Sequence, residues 1–141
     1  TKIYIGDQTN ENFLNSILNV NEKPDIIIDD GGHTSNQQIS SFNFLFEELK
    51  LGGVYLVEDT HTSYSKKFRD REDQLTFVEY AKVLSDELND WYRVKDYSFY
   101  KQKINQVDVS YWAKFIYKVC FYNSIVSIEK RKSKIPFSEI R

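Results

Sequence analysis

The sequence predicts an α/β domain: an open, mostly parallel sheet with helices on both faces and an antiparallel hairpin at its end. Two observations predict the parallel part. Short apolar runs bounded by turn residues are typical of strands covered on both faces, and amphipathic helical segments lie between and after them. A third observation, two apolar segments joined by a tight turn near the end of the chain, predicts the hairpin. Strands and helices that alternate in this way are typical of an α/β fold.

The first half of the chain alternates predicted strands and helices. Its elements are, in order, a strand at residues 2–6, a helix at 12–20, a strand at 25–29, a helix at 35–50 and a strand at 54–57. Pro24 ends the first helix, because a proline ring cannot continue one. The pair Gly52-Gly53 follows the second helix, where glycine commonly ends helices. The second helix carries its apolar side chains on one stripe, so we expect it to pack against the sheet.

The second half is less regular and ends in the hairpin. We predict a loop at residues 60–70, a helix at 72–92, an irregular segment at 95–111, strands at 117–121 and 124–129, and a basic tail at 131–141. An apolar stripe from Phe77 to Trp91 predicts the helix. The dipeptide Tyr122-Asn123 is the predicted turn between the last two strands. Residues 1–130 are therefore expected to form one domain.

The composition is that of a globular domain of 141 residues, with a hydrophobic fraction of 40% and a net charge of −2. This charge balance gives no reason to expect a nucleic-acid partner bound through phosphate contacts. The chain has no apolar run near the roughly 18 residues of a membrane-spanning helix, no signal-peptide pattern, and one cysteine, Cys120. We therefore expect a cytoplasmic protein that does not bind membranes. Because the sequence starts at Thr1 and lacks methionine, we expect a processed chain or a piece of a longer one.

Polar clusters follow three of the predicted strands. They are Gly6-Asp7-Gln8, the segment from Asp29 to His33, and the segment from Glu58 to His61. In open α/β sheets ligands bind beyond the carboxyl ends of the strands, where these clusters would lie. The second and third clusters flank one crossover helix, so their strands are expected to be neighbours. Asp30, Glu58 and Asp59 are therefore predicted to converge on one small volume.

Three converging carboxylates need protons or a cation, because their charges repel. A hard divalent ion is the expected occupant, Mg²⁺ before Ca²⁺ or Mn²⁺. One cysteine and two histidines do not supply the nitrogen and sulfur ligands that zinc prefers. The pair Gly31-Gly32 permits a tight turn after Asp30, and His33 follows that turn beside the predicted ion, where its imidazole could accept a proton.

Each cluster taken alone also has a structural interpretation. Asp29 alone is typical of a residue that caps the following helix, and a lone histidine near a helix start is usually solvated or capping. The pair Glu58-Asp59 alone could be a solvated loop. Two further groups of residues also have a structural interpretation. The aromatic residues could line a sugar-binding cleft or pack in the core (Tyr64, Phe68, Tyr97 and Tyr100). The basic residues are most simply solvated surface (Lys66, Lys67, Arg69 and Arg71). The coincidence of three acidic clusters at three strand ends favours a site.

Two strings of the sequence, DIIIDDGGH at residues 25–33 and GGVYLVEDTHTSY at residues 52–64, resemble a known family. It is the family of metal-dependent sugar O-methyltransferases of antibiotic and capsule pathways, which are class I enzymes that use S-adenosylmethionine. The resemblance runs through residues 1–64 and returns at residues 121–130. The segment between them is similar in kind only. Gly32 is one departure, since the family usually carries serine there.

The resemblance implies a Rossmann-like methyltransferase sheet and a methyl transfer from S-adenosylmethionine to a hydroxyl of a sugar or glycoside. It gives Asp30, Glu58 and Asp59 the role of Mg²⁺ ligands. His33 would be the general base. Asp7 and Gln8 would approach the adenine end of the methyl donor.

The resemblance also implies a fragment. The family's first strand, its glycine-rich turn and its acidic ribose ligand have no counterpart in the sequence, so residues 1–130 would be the C-terminal part of a methyltransferase domain that lacks the first strands. Two alternatives stay open at this point. One is a metal-dependent enzyme of the glycosyltransferase type, in which Asp29-Asp30 is the paired metal site, and the other is an inactive or partner-completed fragment. A homo-oligomer is also compatible with the sequence.

Overall fold

The computed structural model describes residues 1–70, 72–92 and 109–134. The helices in these ranges are α1 (Glu11–Leu18), α2 (Ser35–Glu48), α3 (Phe77–Glu87) and α4 (Tyr111–Phe115), and the strands are β1 (Ile26–Asp29), β2 (Val54–Val57), β3 (Ile116–Tyr122) and β4 (Ile125–Lys130). Short 3₁₀ helices span Thr60–Tyr64, Lys66–Phe68 and Asp90–Tyr92. None of the described helices is long and apolar enough to cross a membrane.

The four strands form one sheet in the order β1-β2-β4-β3. β1 and β2 are parallel, whereas β4 runs antiparallel to both β2 and β3. The α/β class and the C-terminal hairpin are thereby confirmed. The described sheet is mixed rather than mostly parallel, because β4 contributes two antiparallel pairings against the single parallel pair.

The strand predicted at residues 2–6 is wrong: the structure assigns no strand there. Ile3 and Ile5, the residues on which the prediction rested, are exposed. A strand requires a neighbouring strand to satisfy its backbone groups, and in the described part of the chain β1 pairs with β2 alone. The segment is held instead by side-chain contacts with Asn21, whose amide bonds to Lys2 and Tyr4.

The other differences concern the ends of elements. The predicted 72–92 helix begins only at Phe77, because Thr76 and Glu79 form a capping box there. The predicted loop at 60–70 contains two 3₁₀ helices. Most of the irregular segment, together with Tyr97, Tyr100 and Arg71, lies outside the described residues, as does the tail beyond residue 134. The start of that tail is anchored, since the Arg131 and Ser133 amides donate to carbonyls of α4.

The core lies on one face of the sheet, between the sheet and helices α2 and α3. Its largest buried side chains are Phe42, Phe46, Tyr55, Phe77, Leu84 and Ile128. On the opposite face of β1, Ile26 and Ile28 are 63% and 58% exposed. Helices were predicted on both faces, whereas α2, α3 and α4 pack into the core on this one face.

Candidate metal centre

Two carboxylates and an imidazole meet at the carboxyl ends of β1 and β2. Ligand atoms of Asp30, His33 and Asp59 all lie within 4.8 Å of one another, and this is the one such group among the residues described. His33 Nε2 lies 3.9 Å from Asp30 Oδ1 and 3.6 Å from Asp59 Oδ2. Both carboxylates are largely open to solvent, while the His33 side chain is 23% exposed. The cluster therefore forms at the edge of the sheet where the sequence predicted a site.

The register of the parallel strands brings the two loops together. Asp29, the last residue of β1, is opposite Val57, the last residue of β2. The Glu58 amide donates to the Asp29 carbonyl at 2.9 Å, so the pairing continues one residue past the strands. Asp30 and Asp59 thus leave the sheet side by side.

Glu58 is placed beside the cluster but is not a member of it. Its carbonyl accepts a hydrogen bond from Gln38 Nε2 at 3.1 Å, and its amide is bound to Asp29 as described. The structure therefore brings together two of the three predicted ligands and adds the predicted base. A role for Glu58 as a third ligand stays a prediction. Gln38, a buried amide that fixes the Glu58 backbone, had no signal in the sequence, because it is one of four consecutive polar residues at the start of α2.

The backbone at this centre is unusual. His33, Asp59 and Ser124 have φ values of 61°, 52° and 62°, and they are the non-glycine residues with positive φ in the part of the chain that is described. This left-handed conformation is disfavoured for residues with a side chain, at roughly 1–2 kcal/mol each. Ser124, in the hairpin turn, is connected to the loop after β2, because its carbonyl accepts a hydrogen bond from the Thr60 amide. Strain of this kind is concentrated at functional sites.

The glycine turn between Asp30 and His33 is closely packed against two side chains, and neither glycine has a positive φ angle. A Cβ atom added at Gly31 would collide with the side-chain oxygen of Gln8, and one added at Gly32 would collide with the Gln37 amide. Gln37 is in turn fixed by the capping box that starts α2 at Thr34. The turn is packed between two glutamines, so its path is fixed on both sides.

The two residues predicted to contact the methyl donor are bonded to protein groups. Gln8 Oε1 accepts from the Gly32 amide at 2.8 Å, and its Nε2 donates to Asp29 Oδ1 at 3.1 Å. Asp7 Oδ1 accepts from the amide and the hydroxyl of Thr9, both at 2.8 Å, and these hydrogen bonds hold the pKa of Asp7 below its usual range. Donor binding by either residue stays a prediction.

Asp29 is part of the support beneath the centre. Its carboxylate is buried and accepts from Ser41 Oγ at 2.9 Å and from the Tyr55 hydroxyl at 3.3 Å, besides Gln8. Burial raises the pKa of Asp29, and these hydrogen bonds partly oppose the rise. Asp29 thus has a structural role, but the predicted role as a helix cap is wrong, because Thr34 is the N-cap of α2. The predicted ligand is the next residue, Asp30. A pocket of about 300 Å³, lined by Gln8, Asp29 and Asp30 among others, adjoins the network.

The two histidines have different surroundings. His33 Nε2 faces both carboxylates, while its Nδ1 is buried and has no hydrogen-bond partner among the described residues. The His61 side chain is 66% exposed. Its Nδ1 lies 2.8 Å from Ser124 Oγ and 3.8 Å from Asp59 Oδ1. His33 is therefore inside the cluster and His61 at its outer edge.

Comparison with known proteins identifies relatives of one kind, although no family model matches the chain. A tetracenomycin rhamnosyl 2'-O-methyltransferase of Streptomyces olivaceus is 37% identical over 87 residues, which are 60% of this chain and 23% of that protein. The mycinamicin VI 2''-O-methyltransferase of Micromonospora griseorubida is 38% identical over 68 residues, 48% of this chain and 17% of that protein. The chain thus spans less than a quarter of the length of these curated relatives.

The chain is also similar in fold to solved structures of a methyltransferase. The chain matches the MycE methyltransferase of the mycinamycin biosynthetic pathway, in complex with Mg and SAH, with a TM-score of 0.75 and 27% identity, over 90% of this chain and 32% of that one. The complex of MycE with Mg, SAH and mycinamycin VI matches with a TM-score of 0.73 and 26% identity, over 90% and 31% of the two chains. In sequence and in fold this chain is therefore similar to sugar O-methyltransferases of antibiotic pathways, as its two motifs indicated.

Proposed function

We propose that this chain supplies the metal-binding and proton-accepting part of the active site of a Mg²⁺-dependent O-methyltransferase. The reaction is the transfer of a methyl group from S-adenosylmethionine to a hydroxyl of a sugar or glycoside. The observation that carries the proposal is the cluster of Asp30, His33 and Asp59 at the carboxyl ends of two parallel strands. Its relatives support the choice of chemistry, since they are O-methyltransferases of glycosylated antibiotics.

The residues present fit a hard divalent cation. Asp30 and Asp59 offer carboxylate oxygens, the ligands that Mg²⁺ prefers, and their mutual repulsion is relieved by a cation between them. The side chains are 63% and 48% exposed, which leaves room for the water or hydroxyl ligands that Mg²⁺ retains. We propose these two residues as ligands, with Glu58 as the third. A bound Mg²⁺ would lower the pKa of a sugar hydroxyl by stabilising its conjugate base.

His33 is the proposed general base. Its Nε2 faces the two carboxylates that are proposed to hold the cation, so it would lie beside an acceptor hydroxyl bound to that cation. The imidazole takes the hydroxyl proton, the oxygen forms a new bond to the methyl carbon, and the bond from that carbon to the sulfonium sulfur breaks. A positioned base contributes about 10²–10⁴-fold in such a step. The fixed turn between Gln8 and Gln37 keeps the ring in place for it.

We place the methyl donor on the side of the centre formed by Asp7 and Gln8. Gln8 and Asp30 line the same pocket, so a predicted donor contact adjoins a predicted metal ligand. Asp7, whose carboxylate is exposed, follows the segment 1–6 at the same end of β1. A polar group of the donor would bind to Gln8 only by sharing or replacing its present hydrogen bonds.

The test of the proposed metal site is Mn²⁺ binding, measured by electron paramagnetic resonance. Asp30→Asn and Asp59→Asn keep the shape of each side chain and remove its charge, so each should weaken Mn²⁺ binding about tenfold or more. Asp25→Asn is the matched control, because Asp25 lies at the other end of the strand and pairs with Lys50. Equal affinity in all three variants would contradict the proposal.

A second arm separates the proposal from the glycosyltransferase alternative. A thermal-shift screen with Mg²⁺ present compares S-adenosylmethionine with nucleotide sugars. Ligands that bind the folded state raise the midpoint of unfolding. A shift produced by nucleotide sugars and not by S-adenosylmethionine would favour the alternative.

A further inference from the structure

One buried hydroxyl contacts both loops that form the candidate centre. Thr62, in the first 3₁₀ helix, is 4% exposed. Its Oγ1 lies 3.0 Å from the carbonyl oxygen of His33 and 2.9 Å from that of Asp59, and it is the donor in both contacts. A hydroxyl has a single proton, so the two carbonyls share it. Thr62 therefore bridges the loop after β1 and the loop after β2.

The bridged residues are the two left-handed members of the cluster. His33 and Asp59 both have positive φ, a conformation that persists only where the surrounding structure holds it. Because the side chain and the carbonyl of a residue are attached to the same Cα, holding the carbonyl restricts the direction in which the Cα–Cβ bond leaves the backbone. The Thr62 hydroxyl thus acts on the orientation of the imidazole and of one carboxylate at once.

Thr62 is itself firmly placed. Its amide donates to the Asp59 carbonyl at 3.0 Å, and its carbonyl accepts from the Ser65 amide at 2.9 Å. The next residue, Ser63, accepts a hydrogen bond from the Val78 amide in the first turn of α3. The hydroxyl is therefore carried by a segment that is tied to the helical layer rather than by a free loop.

We infer that Thr62 is a positioning residue of the centre: its hydroxyl sets the separation between the proposed base His33 and the proposed Mg²⁺ ligand Asp59. The inference rests on the proposed function, since it assigns Thr62 a role only through those two residues. Thr62 contacts neither the acceptor nor the donor in this account. No residue type or spacing in the sequence distinguishes it from the neighbouring threonine.

Two substitutions separate this role from simple packing. Thr62→Val keeps the branched shape and removes the hydroxyl, whereas Thr62→Ser keeps the hydroxyl and removes the buried methyl group. If the hydroxyl positions the centre, the dissociation constant for Mn²⁺ rises at least fivefold in the valine variant and stays within twofold in the serine variant. A residue that only fills space gives the reverse order, because the serine variant then has the larger defect.

The measurement is Mn²⁺ titration by electron paramagnetic resonance on the whole chain, with urea unfolding of each variant to establish that it is folded. If Thr62→Val does not fold, Thr62→Ser and Thr62→Ala form a second pair that differs in the hydroxyl alone, and the alanine variant should then bind Mn²⁺ at least fivefold more weakly. Wild-type affinity in Thr62→Val, or in Thr62→Ala where that pair is used, overturns the inference and leaves the proposed function intact. Wild-type protein whose Mn²⁺ binding is absent, or is unaffected by Asp30→Asn, overturns both.

Discussion

The two histidines of the chain show how local surroundings decide the role of a residue. His33 is largely buried with its Nε2 toward two carboxylates, and His61 is exposed beside a serine hydroxyl. The sequence favours His33 because of the glycine turn before it, and the structure places it inside the cluster. His61 touches the cluster only from its outer edge, through Asp59. The difference in position predicts a difference in catalysis.

In the methyltransferase whose active site this chain is proposed to complete, we predict that His33→Ala lowers kcat for methyl transfer by about a hundredfold or more, since a positioned base contributes about 10²–10⁴-fold. The affinity for the methyl donor should change little, because the imidazole is assigned to the acceptor. The matched control is His61→Ala, which should retain most of the activity. Steady-state kinetics in saturating Mg²⁺ measures both. Near-normal turnover in His33→Ala together with loss of activity in His61→Ala would reverse the assignment.

Polar contacts hold the ends of the helices that cover the core. Lys130, the last residue of β4, is buried, and its Nζ donates to the carbonyls of Phe46 and Glu47 at 2.8 and 2.7 Å. These carbonyls belong to the last turn of α2, where backbone acceptors lack helical partners and a cation is favourable. Burial lowers the pKa of Lys130. The ammonium group therefore attaches the helix to the strand.

Lys130→Met should reduce the free energy of unfolding by about 1–3 kcal/mol, because it leaves the buried Phe46 carbonyl and the part-buried Glu47 carbonyl without their donor. Lys118→Met is the control. Lys118 is exposed on β3 and pairs with Glu129, and loss of such a surface ion pair costs about 0–1 kcal/mol. Urea unfolding of both variants makes the comparison. Equal losses would show that the contacts to α2 contribute no more than a surface ion pair.

The capping boxes of α2 and α3 differ in one charge, which predicts a difference in pH dependence. Gln37 completes the box of α2, and Glu79 completes that of α3, where hydrogen bonds from Thr76 lower the pKa of Glu79. A lowered pKa in the folded state means that the unfolded state binds more protons in acid. The contribution of Glu79 is thus complete above its unfolded pKa and is lost as the pH falls through its folded pKa.

Glu79→Gln should therefore lose less stability than the wild type when the pH is lowered from 6 to 3, since glutamine keeps the cap and does not titrate. Urea midpoints of the two proteins across this range measure the effect. All other carboxylates are present in both proteins, so the difference between their urea midpoints reports the titration of Glu79. Parallel curves would show that the Glu79 charge has no part in the cap.

For the whole molecule, the sequence predicts best what depends on neighbouring elements of the chain. The apolar runs of β1 and β2 and the polar residues after them predict both the strand pair and the position of the cluster. The strand at residues 2–6 was wrong because its apolar residues have no neighbouring strand to pair with in the described chain. The roles of Thr62 and Lys130 could not be predicted, because each depends on contacts between segments that only the fold brings together.

The 141-residue chain by itself is expected to bind S-adenosylmethionine weakly. Gln8 and Asp7 already bond to protein groups, and the sequence has no glycine-rich turn of the kind that the resemblance implies for the donor. The glycine-rich turn and the acidic ribose ligand that the resemblance implies would each supply a charge-assisted hydrogen bond to the donor, contributing roughly 1.5–3 kcal/mol. Without these two hydrogen bonds the affinity for S-adenosylmethionine is lower by about a hundredfold or more. Titration calorimetry in saturating Mg²⁺ measures it, and micromolar binding would contradict this expectation.

Anomalous diffraction from crystals of this chain grown with MnCl₂ would locate the cation directly. We predict one strong Mn²⁺ peak at the carboxyl ends of β1 and β2, within about 2.5 Å of carboxylate oxygens of both Asp30 and Asp59. His33 would lie beside it, with the loops held as described. A crystal saturated with Mn²⁺ that shows no peak between these two carboxylates would contradict the account.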